Sequence, residues 1–308
     1  MKDKKEAAAP KKVERKHKNY HRNSLIRPYL MIAPCITFLM IFTFYPAVNM
    51  IYLSFFDYNL LSEKKFIGLE NYRRLFFVNV DFWNAFKNTA YYTAATVLLL
   101  IFLGLMFALW LQKSTWLNSI AQRVMFLPHI CAMLSVSMVF QWLMDEKGLF
   151  NAVLHVFSLP GLRWLNSSQT ALISIIIVSI WKNIGYYALI LLSSLKAIPA
   201  EIHEAAELDD ARPLQKFFKI TVPMLSPQIL FLLVTITIGS FKVFESIRIM
   251  TGGGPGNSTD VLVYYVYRYA MTNLKFGYAS AAGTVLFALL MVLTFFYFRL
   301  PGKRVHYQ

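Results

Sequence analysis

Apolar residues along this chain fall in long blocks that no charge interrupts, set apart by short segments rich in charge, glycine and proline. Five blocks cover residues 28–56, 88–112, 124–144, 220–241 and 276–298, the shortest of 21 residues. A sixth, 164–181, is followed by Lys182 and then by the uncharged stretch 183–195. Crossing a bilayer core takes about 20 helical residues at about 1.5 Å each, so each block is long enough. In hydrocarbon the backbone must satisfy its own hydrogen bonds, and runs of this length do so as helices rather than as barrel strands. The pattern predicts an all-α integral membrane protein with six spans. It excludes a soluble globular enzyme, a collagen-like chain and a disulfide scaffold.

Composition agrees: 57% of the residues are hydrophobic and 15% charged, against about 25% charged in a soluble domain. Cys35 and Cys131 fall inside predicted spans and read as small packing residues, with neither a disulfide framework nor a metal spacing. The net charge of +15 is concentrated at the start, where residues 1–28 carry ten Lys/Arg against three acids and no apolar core. That segment is expected to be a disordered basic tail. The apolar run after it is too long for a cleavable signal. With this tail in the cytoplasm, six spans return the short 300–308 tail to the same side. Nineteen Lys/Arg then lie inside and ten outside, as the positive-inside bias requires. The tail is expected to meet anionic lipid rather than nucleic acid. The domain boundaries that follow are a tail over 1–28, a six-span membrane domain over 29–299 and a tail over 300–308.

Two outside segments are too rich in structure to be spacers. Residues 57–87 contain Phe66-Ile67-Gly68-Leu69-Glu70-Asn71-Tyr72 and Phe82-Trp83-Asn84-Ala85-Phe86, aromatic-rich stretches that predict a small cap or an interfacial segment. Residues 251–259 read Thr-Gly-Gly-Gly-Pro-Gly-Asn-Ser-Thr, a helix stop and turn. It lacks the Lys and Ser/Thr that a phosphate-binding loop places after its last glycine.

The most informative stretch is the inside loop over 196–224. Pro199 suits a first helical position, and Glu201, Glu204 and Glu207 suit the positive end of the helix. Asp209-Asp210 predicts a turn. Pro213 opens a second helix on which Leu214, Phe217 and Phe218 share an apolar face. The expectation is a helix-turn-helix elbow, acidic and alanine-rich first and aromatic second, with Ala205 and Ala206 permitting close approach of a partner.

That elbow resembles the EAA loop of ABC importer permeases: Glu204-Ala205-Ala206 is followed at the family spacing by Asp210, Ile220, Val222 and Pro223. Val222 replaces the usual Leu and Asp210 the usual Gly, whose place calls for a left-handed turn that Asp is among the few other residues to tolerate. The likeness extends over nearly the whole chain after the tail and narrows to the carbohydrate-uptake, glycerol-phosphate and multiple-sugar branch. Tyr45-Pro46, the stretch from Phe66 to Tyr72, Trp181 with Gly185, the glycine-rich turn and Gly277-Tyr278-Ala279-Ser280-Ala281 all fall at the family positions. The resemblance implies a permease in the prokaryotic inner membrane, both termini cytoplasmic, that passes a sugar or oligosaccharide by alternating access. It also implies a second, related permease chain, separate ATPase subunits that carry ATP and Mg, and an extracytoplasmic solute-binding protein. Coupling to the ATPase would fall to Glu204, Ala205, Ala206, Asp209, Asp210 and Pro223. This chain would bind no cofactor or metal and have no catalytic residue, in keeping with its lack of a Walker motif.

Intramembrane charges are functional candidates because each costs roughly 2.5–3.5 kcal/mol at a span centre. Lys182 lies beside Trp181, Asn183, Tyr186 and Tyr187, a set suited to hydroxyl groups and flat sugar faces. Lys242 and Glu245, three apart, are expected to meet on one face of the fifth span. These seven residues are the candidate substrate path. Glycerol 3-phosphate or a phosphodiester is the alternative cargo, with Lys182 or Lys242 facing the phosphate. An ion-coupled secondary transporter is the alternative class, and uptake that survives ATP depletion would mark it. An intramembrane enzyme finds no His-Glu-x-x-His, aspartate pair or Gly-x-Ser-x-Gly.

Overall fold

The structure is a computed structural model and describes residues 28–113 and 115–299. The basic tail, apart from Pro28, and the 300–308 tail lie outside the described residues. The chain divides into two compact units, residues 1–52 and 53–308. The described part of the first is one long apolar helix, α1, Pro28–Leu53, which ends at the boundary and contains a π-turn over Met40–Phe44.

The second unit begins with a two-stranded antiparallel ribbon, β1 (Phe56–Asp57) and β2 (Lys65–Phe66), with Phe56 opposite Phe66. The helices that follow are α2 (Val80–Leu111), α3 (Trp116–Ile130), α4 (Met133–Leu143), α5 (Leu149–Val156) and α6 (Ala171–Lys196). Next come α7 (Ala200–Leu208), α8 (Ser226–Phe241), α9 (Glu245–Met250), α10 (Leu262–Tyr267) and α11 (Phe276–Arg299). Asn79 caps α2 by accepting from the Asp81 N–H, and Thr115 caps α3 by accepting from the Asn118 N–H, which satisfies donors that a helix start leaves open.

Five helical segments are long and apolar enough to cross a membrane, six if the pair α3 and α4, bent by 97°, forms one broken span. The third apolar run, expected as one continuous span, is therefore broken. Pro128 removes a backbone donor from the last turn of α3, and Cys131 and Ala132 take extended conformations before α4 begins. Cys131, expected to pack, is exposed at this break, and Cys35 is exposed on α1.

The centre of the second unit is α2 against α6, flanked by α3 and α8. Leu100, Ala108, Leu191, Leu195, Leu232 and Ile236 form one core between them. Tyr92, Phe140, Ile175, Ile176 and Ile247 form another nearer the start of α6. Gly185 lets α3 touch α6 backbone to backbone, since a Cβ there would lie 1.8 Å from the Met125 carbonyl oxygen.

The aromatic cap is present. Phe76, Phe82, Trp83 and Phe86 interlock at centroid separations of 5.6–6.3 Å, and Phe82 reaches Tyr265 on α10. Asn71 explains part of the motif from Phe66 to Tyr72: its amide donates to the Ser54 and Phe56 carbonyls at 2.8 and 2.9 Å. The Tyr72 hydroxyl donates to Ser54 Oγ at 2.7 Å. Glu70 is clasped by Arg73 and Arg74, whose hydrogen bonds pull its carboxyl down to about 2.

Candidate functional site

The elbow follows α6. Pro199 stands one residue earlier than expected, as the N-cap of α7 rather than its first residue, with Glu201 in the first turn. The helix ends in a closed pattern of backbone bonds, Asp210 N–H to Glu207 O and Ala211 N–H to Ala206 O, both 3.1 Å. This is a Schellman closure, in which the residue after the C-cap is left-handed and is usually glycine. Asp210 holds that place with φ +49°. The second arm opens at Pro213, where the Gln215 side chain accepts from the Arg212 N–H. Lys216 Nζ lies 3.1 Å from Glu207 Oε1 and ties the two arms together. A π-turn over Phe217–Thr221 and a short helix, Val222–Met224, which contains Pro223, lead into α8.

The exposed face of the elbow carries Glu204, Ala205, Leu208, Asp209 and Asp210 on the first arm and Leu214 and Phe218 on the second. Ala206 is turned inward and buried, so its small side chain serves the closing of the elbow on itself.

Halfway along the spans, α2, α4, α6, α8 and α9 line an open cavity of about 340 Å3. Of the seven path residues expected from sequence, Asn183, Tyr187, Lys242 and Glu245 line it, while Trp181, Lys182 and Tyr186 do not. Trp181 instead packs on Phe140 at 5.0 Å. Tyr186 stacks on His129 at 4.2 Å with the rings 3° from parallel. Lys182 is buried, and its ammonium donates to the backbone carbonyls of His129 at 2.9 Å and Pro128 at 3.5 Å. Those are among the carbonyls that a helix end leaves open at the negative pole of its dipole. His129 also meets the Asn183 side chain, Nδ1 to Oδ1 at 3.1 Å, so the break in the third span is pinned to α6 through three side chains.

Lys242 and Glu245 do not share a continuous helical face. Helix α8 stops at Phe241, residues 242–244 are not helical, and Glu245 opens α9. No ion pair joins the two among the described residues. The break places both side chains at the cavity instead.

Sequence reasoning missed Tyr92, Thr96, Ser179, Ser240 and Ser246, which supply much of the cavity's polar lining. The Tyr92 hydroxyl donates to Ser179 Oγ at 2.7 Å, Thr96 and Ser240 pair at 3.0 Å, and the buried Ser246 hydroxyl has no partner among the described residues. The signal was present as Tyr92 and Thr96, four apart on one face of α2.

At the end opposite the elbow, the glycine-rich turn is built rather than slack. Thr251 and Thr259 pair at 2.7 Å, and Thr259 Oγ1 donates to the Gly254 carbonyl. Asn84 and Asn88 at the start of α2 donate to the Asn257 carbonyl at 2.8 and 3.0 Å. Asp260 is fully buried against Arg268. Burial pushes its carboxyl up to about 6, although the Arg268 guanidinium opposes the rise.

A bundle of apolar spans, one broken, with a mid-span polar cavity and an acidic elbow at one end, defines a membrane permease. The family described as "Binding-protein-dependent transport system inner membrane component" matches residues 100–307, and the chain belongs to it. It is 37% identical over 282 residues to the probable ABC transporter permease protein YurN of Bacillus subtilis (strain 168), covering 89% of this chain and 95% of that one. It is 35% identical over 274 residues to the sulfoquinovosyl glycerol transport system permease protein SmoG of Agrobacterium fabrum (strain C58 / ATCC 33970), covering 88% and 89%. The fold superposes with TM-score 0.80 and 24% identity on a chain of a bacterial alginate ABC transporter crystallised with its alginate pentasaccharide-bound periplasmic protein, covering 93% of this chain and 96% of that one.

Proposed function

We propose that this chain is one of two membrane subunits of an ATP-driven importer and passes a neutral sugar or oligosaccharide through the mid-span cavity. The observation that carries the choice of cargo is the balance of that cavity. Its hydroxyls, amide and phenols surround one lysine and one glutamate, Lys242 and Glu245, so it offers no net positive charge to a phosphate. Lys182, the other candidate for a phosphate, is engaged by backbone carbonyls. A neutral polyhydroxylated solute matches the many donors and acceptors and the two tyrosines.

In this account the basic tail over 1–28, the elbow and the 300–308 tail face the cytoplasm, and the domain between, 29–299, is the permease proper. An extracytoplasmic binding protein delivers cargo at the end bearing the 251–260 turn. Two ATPase subunits, which hold ATP and Mg, dock on this elbow and on that of a second, related permease. Glu204, Ala205, Asp209 and Asp210 contact the ATPase, while Ala206 and Pro223 shape the arms. Closure of the ATPases draws the elbows together and turns the path outward. The chain itself does no chemistry.

The test of cargo is uptake by the reconstituted complex of radiolabelled sugars against sn-glycerol 3-phosphate. Neutral-sugar uptake that falls at least tenfold in Glu245→Gln and in Tyr187→Ala is expected. Uptake of glycerol 3-phosphate alone, abolished by Lys242→Gln, would overturn the neutral-cargo reading.

A further inference from the structure

A second polar concavity lies at the end opposite the elbow, between the β1–β2 ribbon, the start of α2 and the segment that joins α10 to α11. Its volume is about 870 Å3, within the roughly 300–1,000 Å3 of small-molecule sites. Unlike the apolar groove on α8 and α11, which is lined by Ile238, Phe287 and Phe295 among others, it is walled mostly by polar side chains.

Its charges cancel: Asp57 and Asp81 stand against Arg74 and Lys275. Two phenol rings, Tyr269 and Tyr278, lie 4.9 Å apart in its wall. Asn79 fixes both, donating to the Tyr269 hydroxyl at 2.8 Å and to the Tyr278 hydroxyl at 2.9 Å, while its own carbonyl oxygen caps α2. Tyr278 passes the contact on to the buried Tyr265 hydroxyl at 2.9 Å. The aromatic wall is therefore set in place before any ligand arrives.

Other groups in the cavity are left over. Among the described residues, the side chains of Asp57, Asn273 and Lys275 have no hydrogen-bond or ion-pair partner, though all three line the space. A carboxylate, an amide and an ammonium offer acceptors and donors on several sides of it. Preset rings, unspent donors and acceptors and zero net charge suit a ligand that is uncharged, dense in hydroxyls and flat on one face.

We propose that this concavity is a binding site for a neutral saccharide, separate from the mid-span cavity and placed to hold cargo before it enters the spans. Tyr269 presents the stacking face, held in place by the buried Tyr278, and Asp57, Asn273 and Lys275 take the hydroxyls. The ligand class rests on the sugar-importer reading above; the site itself rests on the geometry.

The test is saturation-transfer NMR on the complete permease–ATPase complex in nanodiscs, without binding protein. Maltose, trehalose and raffinose are the probes, with sn-glycerol 3-phosphate as the anionic control. The expected result is transfer to a neutral sugar and none to glycerol phosphate. That signal should persist in the mid-span variant Tyr187→Ala and, in that background, fall at least tenfold when Asn273→Ala and Lys275→Ala are added. Asn273 and Lys275 are exposed and hold no other side chain in place, so the double variant folds. No transfer, or transfer abolished only by Tyr187→Ala, overturns the outer site. A double variant that loses affinity for the binding protein while sugar transfer is absent makes the concavity a protein-docking face and also overturns it. Sugar uptake by the wild-type complex is measured in parallel. Uptake without outer-site transfer sinks this site alone, whereas no uptake of any sugar sinks the cargo reading beneath it.

Discussion

Lys182 Nζ sits 2.9 Å from the His129 carbonyl oxygen and holds the end of α3 where the third span breaks. A lysine in an apolar span thus faces neither lipid headgroups nor cargo but the open carbonyls of a neighbouring helix. A half-helix end inside a membrane needs such a partner, because no water is there to supply one.

Replacing Lys182 by Met removes that donor and leaves two carbonyls unpaired, at a cost of about 1–3 kcal/mol. Thermal unfolding of the purified complex in detergent should show a lower midpoint, with cargo preference unchanged among the molecules that remain folded. A changed cargo preference at wild-type stability would return Lys182 to the path.

Asp210 occupies a left-handed position, φ +49°, that disfavours side chains by roughly 1–2 kcal/mol, less for Asp than for most. Asp210→Gly should stabilise the elbow by up to about 1 kcal/mol, read as slower amide exchange over 205–212, with ATPase docking retained. Asp210→Val should do the opposite. Equal exchange in all three would mean that the turn is not left-handed in the membrane.

Asp260, outside the spans, has its carboxyl raised from 3.8 to about 6 by burial. Asp81, Arg268 and Tyr264 are the charged and titratable groups that face it. A raised carboxyl means that the folded turn holds its proton more tightly than the unfolded chain does. Stability is therefore greatest below about 4 and declines as pH rises to about 6, by on the order of 3 kcal/mol in all. Amide exchange over 251–260, corrected for intrinsic rates, should be slower at pH 5 than at pH 7.5. Asp260→Asn should flatten that dependence.

Much of the architecture was legible because hydrocarbon imposes a coarse rule: uncharged runs of sufficient length become spans. The elbow was legible for a different reason, since Pro199, the acids, Asp210 and Pro213 each carry a local conformational preference. The break at Cys131 and Ala132 was hidden because hydropathy counts residues and does not see direction. Pro128 hinted at it, yet proline also occurs in unbroken spans. The fate of Lys182 was equally hidden, because its partners are backbone carbonyls that every residue type carries. Tyr92, Thr96, Ser179 and Ser240 escaped because single hydroxyls in apolar helices commonly bond their own backbone, as Thr89 does to the Ala85 carbonyl. Only the packing of α2 against α6 and α8 turns these four toward one another.

The central claim is that this chain couples a delivered solute to ATP hydrolysis elsewhere, through its elbow. The direct measurement is ATPase activity of the complex reconstituted with both permeases, the ATPase and the binding protein, with and without sugar. The account predicts stimulation by sugar-loaded binding protein. In Glu204→Lys that stimulation should be lost while the permease pair still assembles, because the reversed charge faces the ATPase from the exposed side of α7. An ATPase that binds and responds to cargo equally well in wild type and Glu204→Lys would contradict the role of the elbow. An ATPase that does not bind the wild-type permeases at all would contradict the whole account.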